Sequence, residues 1–315
     1  MAIQEVKTSA LDELRAQTTA IASAELRMPE HEMLIEESIA LAEDLHLQFL
    51  GVNREQLAVE VAILMKMVKL QLRIVPYITG CVHIQTNPFY SYSVPQTVEN
   101  GKRIVKLFAH LHPDLPTSRI CIKIPSTWEG MMACKILEGA GIKTLATTLF
   151  TMEQGILAAE VGCTYVAPYV NDLRVHFDPT FRDDAKLFDL CLDLQRYYER
   201  HGCRTQVLPA SLTSVDEVMM LAGAHHITVG PALLRQLFDL EVLDDISIFG
   251  QPYSTAHLYS ERQSYVNDEA RYRMAFTRNG KGVAEEKLIQ AINIFCDMQT
   301  KMELLMRPEQ EVEAV

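Results

Sequence analysis

Long apolar runs, paired cysteine motifs and an excess of positive charge are all missing from this 315-residue sequence. No stretch approaches the roughly 18 apolar residues of a membrane-spanning helix, and the N-terminus has no hydrophobic signal core. We therefore expect no membrane partner. The formal net charge of -12 argues against a surface that binds nucleic acid.

Cysteine and glycine patterns exclude two further classes of site. The seven cysteines are odd in number and contain no C-x-x-C spacing, which argues against structural zinc and against a disulfide framework. A reducing cytoplasm is the expected compartment. No G-x-G-x-x-G or Walker motif follows a predicted strand, so we expect no nucleotide cofactor. No other cofactor and no bound metal are expected.

Strand and helix patterns alternate along most of the chain. Period-two alternation predicts strands at residues 18–22, 81–86, 119–124, 143–149, 164–167, 205–208 and 226–229. Amphipathic patterns predict helices at residues 29–50, 55–73, 96–111, 129–139, 152–161, 181–201, 215–222 and 283–306, and another that Pro231 opens. This order predicts an α/β fold with a parallel sheet, and favours a closed (β/α)8 TIM barrel over a doubly wound sheet.

The organisation expected is one barrel domain over residues 1–315. Residues 1–10 and 307–315 are expected to be flexible tails, and the helix at 283–306 to lie over or beside the barrel. Seven strands are counted where closure of the barrel requires eight, so strands 1 and 2 are expected to be atypical or incomplete.

One predicted strand carries a lysine in an apolar setting. Ile120, Ile122 and Ile124 form one face, Lys123 lies on the other, and Pro125 then introduces a helix. Such a lysine would lie at the C-terminal end of a buried strand, the edge where α/β barrels carry their chemistry. Burial disfavours the ammonium form, which makes the amine a better nucleophile. The pattern predicts a Schiff-base lysine.

The segment Ile122-Lys-Ile-Pro-Ser-Thr-Trp-Glu-Gly130 resembles the Schiff-base strand of the transaldolase family of class I aldolases. Residues 138–150, 158–171 and 221–234 are similar to further family segments, and the resemblance runs from about residue 11 to residue 305. It implies an α/β barrel whose lysine attacks a ketose carbonyl, releases an aldehyde and holds a three-carbon enamine. The implied partners are small ketoses and aldehydes.

The resemblance also implies roles for four residues. Lys123 matches the Schiff-base lysine, and Thr147 matches a threonine that holds the catalytic water. Gln85 stands where transaldolases have a glutamate, and Tyr169 where they have a phenylalanine. The fructose-6-phosphate aldolase branch of the family carries this glutamine and tyrosine, which with the threonine position a water that shuttles protons.

Other positions depart from the family pattern. Ser23 stands where the first strand of the family has an acid/base aspartate, and the chain passes from Glu25 almost directly to Met28 and the next helix. About one strand is therefore missing. Another segment could substitute for it, a partner could cover an open barrel, or an exon could be absent from the sequence.

The implied phosphate site has changed as well. Asp172 and Thr213 stand where the family has basic residues, and Arg174 is close enough in sequence to compensate. A carboxylate beside a phosphate dianion costs a few kcal/mol of attraction. We therefore expect an unphosphorylated or otherwise unusual substrate. The candidate substrate contacts are Ser211, Asn171, Arg174 and Trp128.

Several alternatives stay open at this point. The chain could be a transaldolase proper, which transfers dihydroxyacetone between sugar phosphates, or a catalytically lapsed barrel that serves as a binding or scaffold subunit. Gln85 and Tyr169 could simply fill the barrel and satisfy each other, and Trp128 could pack rather than bind substrate. The oligomeric state is not determined by the sequence, and a homo-oligomer is among the alternatives.

Overall fold

The computed structural model describes residues 54–239, 247–250 and 261–305, together with Glu37 and Ala40, which are both helical. The predicted strand at residues 18–22, Ser23 and the rest of the predicted helix at residues 29–50 lie outside the described residues. The tails predicted at residues 1–10 and 307–315 lie outside them as well.

A sheet of five strands forms the centre of the fold. The strands are β1 (Val82–Gln85), β2 (Ile120–Pro125), β3 (Lys143–Leu149), β4 (Tyr165–Pro168) and β5 (Gln206–Val207). They lie side by side in chain order, and β4 pairs in parallel with both β3 and β5. The predicted α/β class with a parallel sheet is confirmed.

Helices separate the strands along the chain. They are α1 (Arg54–Ile74), α2 (Val94–Leu111), α3 (Trp128–Gly139), α4 (Met152–Glu160), α5 (Phe188–His201), α6 (Val215–Met220), α7 (Pro231–Asp239), α8 (Glu269–Arg278) and α9 (Val283–Leu305). Most lie within a few residues of their predicted bounds. The described helices include none that is both long and apolar enough to cross a membrane.

Local sequence signals explain where the helices beside β2 and β3 begin. The Thr127 side chain accepts a hydrogen bond from the Gly130 amide and caps α3, as the Ser-Thr pair before Glu129 predicts. Thr151 and Gln154 form a reciprocal capping box at the start of α4. Both helices therefore start at fixed points just beyond the C-terminal ends of the strands that precede them.

Two predicted elements are wrong in extent. The helix predicted from residue 181 begins at Phe188, because the Asp183 carboxylate accepts hydrogen bonds from the Asp172 and Ala185 amides and holds this segment in an irregular conformation. The strand predicted at residues 226–229 is not regular. Two of its amides, those of His226 and Thr228, still donate to carbonyls at and just after β5. The helix α8 was not predicted.

The described residues fall into two compact units. One includes residues 54–89, 99–122 and 294–305, and the other includes residues 90–98, 123–239, 247–250 and 261–293. In the first unit, α1 packs against β1, and Arg119 donates to the carbonyls of Gly80 and Ile78. The prediction of a single barrel domain over residues 1–315 stays a prediction.

The second unit has its own apolar cluster beyond β4 and β5. Its buried members are Val170, Cys191, Leu212, Val218, Leu221 and Leu233. They come from the segments after both strands and from α5, α6 and α7. This cluster anchors the loops that follow β4 and β5, and those loops carry several of the candidate site residues.

Candidate functional site

Lys123 is a buried lysine near the C-terminal end of β2. All six residues of β2 are buried, and the lysine side chain lies in that strand with 6% of its surface exposed. Burial lowers its pKa from 10.5 to about 7. A neutral, nucleophilic amine is therefore accessible near neutral pH.

A second buried lysine shows why position matters as much as pKa. Lys66 is fully buried in the middle of α1, and burial lowers its pKa to about 8. Lys66 lies in the middle of a helix, and its neighbours Met65 and Met67 are buried too. Lys123 lies instead near the C-terminal end of its strand, at the edge of the sheet where parallel α/β folds place their reactive groups.

Thr147 and Tyr169 meet near the C-terminal ends of the next two strands, since Thr147 lies within β3 and Tyr169 directly follows β4. The Thr147 hydroxyl donates to the Tyr169 phenol oxygen over 3.1 Å, and both residues are buried. Burial raises the pKa of Tyr169 to about 12, although the bond from Thr147 opposes the shift. The phenol therefore stays protonated at neutral pH, and it packs edge-on against Phe150.

The backbone beside Thr147 is strained. Thr148 has φ of 54°, in the left-handed region that β-branched residues rarely adopt. The pairing of β3 with β4 changes register between Ala146 and Leu149, around the same residue. Strain of this kind persists only where surrounding contacts enforce it. Sequence reasoning missed Thr148, because no local pattern marks a threonine for this conformation.

Gln85 ends β1 with a buried side chain. It is 1% exposed, and neither its amide oxygen nor its amide nitrogen has a hydrogen-bond partner among the described residues. A buried amide without partners requires an explanation, such as a bound water or ligand. The roles considered for Gln85 and Tyr169, in the chemistry or as filling of the barrel, stay predictions.

Asp172 and Arg174 form a close ion pair after β4. The Arg174 guanidinium donates to both Asp172 carboxylate oxygens, at 3.2 Å and 2.9 Å, and also lies 4.1 Å from the centre of the Phe181 ring. Asp172 is buried, and its hydrogen bond is the main cause that raises the pKa of Arg174. Arg174 is therefore already engaged by the neighbouring carboxylate.

The other predicted contacts after β4 and β5 are joined through Asn171. Its amide donates to the Ser211 carbonyl at 2.7 Å and to Glu217 at 3.0 Å. Ser211 has φ of 63°, and its hydroxyl lies 3.0 Å from the His176 ring. Glu217 also accepts from the Thr213 amide at 2.6 Å. The structure thus brings Asn171, Ser211 and Thr213 together.

Three carboxylates around the ends of β4 and β5 have basic partners. Lys186 is 2.8 Å from Glu217, and Lys287 is 3.0 Å from Asp183. Arg174 pairs with Asp172. These three cations are therefore already paired with acids within the protein.

The contacts of Trp128 are with other residues than the groups described above. Its ring packs against Tyr272 with ring centres 5.4 Å apart, at the start of α3. It lines a cavity together with Tyr92, Thr127 and Phe276. This arrangement favours the packing alternative for Trp128 over direct contact with substrate.

Comparisons with known proteins identify the family to which this chain is similar. A profile of the family described as Transaldolase/Fructose-6-phosphate aldolase matches residues 21–305. A Saccharomyces cerevisiae protein named Transaldolase is 32% identical over 253 residues, which cover 74% of this chain and 69% of that protein. A Shewanella baltica protein of the same name is 30% identical over 291 residues, covering 89% and 85%. A Shewanella oneidensis Transaldolase is 29% identical over 293 residues, again covering 89% and 85%.

Proposed function

Because this chain belongs to the transaldolase and fructose-6-phosphate aldolase family of (β/α)8-barrel enzymes, we propose that Lys123 forms a Schiff base with a ketose. The observation that carries the proposal is the buried lysine at the strand edge, inside the segment that runs from Ile122 to Gly130. Its pKa of about 7 supplies the neutral amine that imine formation requires. The chain is an enzyme of the aldolase or transaldolase kind.

The reaction starts at the ketose carbonyl. Lys123 Nζ attacks the carbonyl carbon, and the carbonyl oxygen leaves as water after two proton transfers. The resulting iminium withdraws electrons from the adjacent carbons. Removal of the proton from the hydroxyl on the fourth carbon then breaks the bond between the third and fourth carbons. An aldehyde leaves, and the three-carbon fragment remains on Lys123 as an enamine.

The enamine has two possible fates. Protonation of its carbon followed by hydrolysis gives dihydroxyacetone, which is the outcome for an aldolase. Attack on a second aldehyde gives a new ketose, which is the outcome for a transaldolase. The first fate requires a proton donor near the enamine, and the second requires that this donor be slower than the acceptor aldehyde.

We assign the proton transfers to a water held by Thr147 and Tyr169, whose hydroxyls meet. The Tyr169 phenol is protonated at neutral pH, so it can donate to such a water or accept from it. The buried Gln85 amide offers a donor and an acceptor that no described residue uses. Its place in this relay is what the resemblance implies, and it stays a prediction. A neutral relay suits this buried site, since an ionised carboxylate there would pay a desolvation cost.

The preferred substrate is an unphosphorylated ketose. Asp172 occupies Arg174, and the neighbouring cations Lys186 and Lys287 each contact an acid. A phosphate dianion would have to displace one of these pairs and lie near the remaining carboxylate, which is electrostatically unfavourable. A neutral sugar requires neither change. Asn171 and Ser211 are proposed to bind its hydroxyl groups.

Transaldolase proper is the second candidate. It is favoured by the names of the relatives, which are called Transaldolase at 30–32% identity in yeast and Shewanella baltica. It predicts dihydroxyacetone transfer from fructose 6-phosphate to erythrose 4-phosphate. Comparing this transfer with the cleavage of unphosphorylated fructose under the same conditions separates the two candidates.

Borohydride trapping tests the common step. The protein is incubated with dihydroxyacetone or fructose and reduced with borohydride, and intact mass spectrometry then measures the adduct. We expect one adduct per chain, which peptide mapping assigns to Lys123 and which Lys123→Ala abolishes. Lys66→Ala is the matched control, because Lys66 also has a lowered pKa but lies in a helix interior. That variant should still form the adduct.

Two results would contradict the proposal. An adduct that persists in Lys123→Ala would place the imine on another residue. The absence of an adduct with any ketose or aldehyde, from a protein that unfolds cooperatively, would favour the lapsed-barrel alternative. In that case thermal melting with candidate sugars would test for a binding role, since a ligand raises the midpoint if it binds only the folded state. A cytoplasmic location and the oligomeric state stay predictions.

A further inference from the structure

Gln154 is a fully buried side chain whose amide is completely hydrogen-bonded to the backbone. Its oxygen accepts from the amides of Phe150 at 2.8 Å and Thr151 at 3.2 Å. Its nitrogen donates to the carbonyls of Ser126 at 3.0 Å and Thr148 at 3.4 Å. A primary amide has two donors and one oxygen with two lone pairs, so all four are used.

These four backbone groups come from the segments that end β2 and β3. Ser126 follows the strand that carries Lys123, and Thr148 follows Thr147. Ser126 adds a second connection, because both its amide and its hydroxyl donate to the Thr147 carbonyl, at 2.8 Å and 2.6 Å. The ends of the two strands are therefore joined by Gln154 on one side and by Ser126 on the other.

The strained residue lies between these connections. Thr148 keeps a left-handed backbone at φ of 54°, and its carbonyl is one of the two that receive the Gln154 amide. This strain would relax if the contacts that enforce it were lost. Relaxation would rotate the peptide next to Thr147, and with it the hydroxyl that meets Tyr169.

We propose that Gln154 is a positioning residue for the reaction, which holds the Lys123 strand and the Thr147 hydroxyl in register through the carbonyls of Ser126 and Thr148. The proposal rests on the proposed function, since it concerns the same lysine and the same proton relay. Gln154 does not itself touch the reacting atoms. Its loss should slow the proton transfers more than it weakens substrate binding or prevents imine formation.

The first test is Gln154→Glu, which keeps the shape of the side chain and the oxygen that faces Phe150 and Thr151. It replaces the donor with an oxygen that faces the Ser126 and Thr148 carbonyls. Protonation of the new carboxyl restores one donor at low pH, and burial beside two carbonyls raises its pKa. The activity of the variant relative to wild type should therefore rise as the pH falls from 8 to 6.

The expected effect is a fall in kcat of about 10- to 100-fold at pH 8, the range for a displaced catalytic group. KM should change by less than about threefold, because the groups that bind the sugar are unchanged. The borohydride adduct on Lys123 should still form. Gln154→Met, which lacks both donor and acceptor, should lower kcat at every pH without recovery in acid, and it provides a second variant if the first does not fold.

Glu138→Gln is the matched structural control. The Glu138 carboxylate accepts from the amides and hydroxyls of Thr144 and Thr164 at 2.7–3.0 Å, near the N-terminal ends of β3 and β4. Like Gln154, Glu138 takes part in several hydrogen bonds that join two strands, but it does so at the end of these strands that is away from the proposed chemistry. We expect it to lower stability to urea and to leave the kcat of the folded protein within about twofold.

The outcomes separate the inference from the proposed function. A wild-type protein that forms no adduct overturns the proposed function and this inference with it. If the wild-type protein forms the adduct but Gln154→Glu keeps the wild-type kcat and pH profile, the inference about Gln154 is overturned and the proposed function stands. The inference is also overturned if Glu138→Gln loses as much kcat as Gln154→Glu at matched folded fraction, because the effect would then be a general loss of stability.

Discussion

The Thr147 hydroxyl and the Tyr169 phenol are hydrogen-bonded across 3.1 Å in the interior of the protein. Thr147 lies within β3 and Tyr169 directly follows β4. The bond orients the phenol, and burial keeps it protonated at neutral pH. Two neutral hydroxyls thus lie near the C-terminal ends of the two strands that follow the buried lysine.

Tyr169→Phe should slow the proton transfers while leaving imine formation intact. Removal of the phenol oxygen takes away one side of the proposed relay, and a positioned acid/base group typically contributes about 10²–10⁴-fold. We expect kcat to fall within that range and the borohydride adduct on Lys123 to persist. Tyr165→Phe, at the other end of β4, is the control and should keep its kcat. Equal losses in both variants would contradict the relay.

The pH dependence of kcat/KM should report the ionisation of Lys123. Its pKa of about 7 lies far below 10.5, so the reactive neutral amine forms as the pH rises through 7. We expect kcat/KM to fall about tenfold per pH unit below pH 6.5 and to level off above pH 8. Initial rates in a constant-ionic-strength buffer series measure this profile. A lysine with an ordinary pKa would give a profile that still rises at pH 9.

Lys123→Met should stabilise the folded protein. The lysine pKa is lowered in the folded state, so between pH 7 and 10.5 the unfolded chain binds more protons than the folded protein. The free energy of unfolding therefore falls as the pH falls through this range. An apolar side chain of similar volume removes that penalty, and we expect about 1–3 kcal/mol more unfolding free energy at pH 7. The gain should shrink as the pH rises towards 10.

Urea unfolding at pH 7 and pH 9.5 measures this effect. Lys135→Met, on α3 and exposed, is the control and should change stability by no more than about 0.5 kcal/mol. A loss of stability in Lys123→Met at both pH values would show that a favourable contact of the lysine outweighs its desolvation.

Asp172→Asn should shift preference towards phosphorylated substrates. The change removes the carboxylate that holds Arg174 and frees a guanidinium for a phosphate oxygen. We expect the ratio of kcat/KM for fructose 6-phosphate to that for fructose to rise about 3- to 10-fold. Asp184→Asn removes an exposed carboxylate from a nearby segment and is the matched control. An unchanged ratio in both variants would argue that Arg174 does not face the substrate.

The reactive strand was largely predictable from the sequence, and its strained neighbour was not. The alternation around Lys123 and the capping residue Thr127 are local signals, and both predicted elements occur. The conformation of Thr148 depends on contacts from α4, and the late start of α5 depends on Asp183, so no local pattern records either one. The capping-box spacing from Thr151 could have identified Gln154, although only as a helix cap.

The paired charges around Arg174 have a consequence for how substrate reaches the enzyme. A chain with a formal net charge of -12 repels dianions at long range, and that repulsion weakens as salt shortens the Debye length. A neutral sugar experiences no such field, and Asp172 and Arg174 neutralise each other locally. Its encounter rate should therefore be limited by diffusion and orientation alone, with the same value in dilute buffer and at physiological ionic strength.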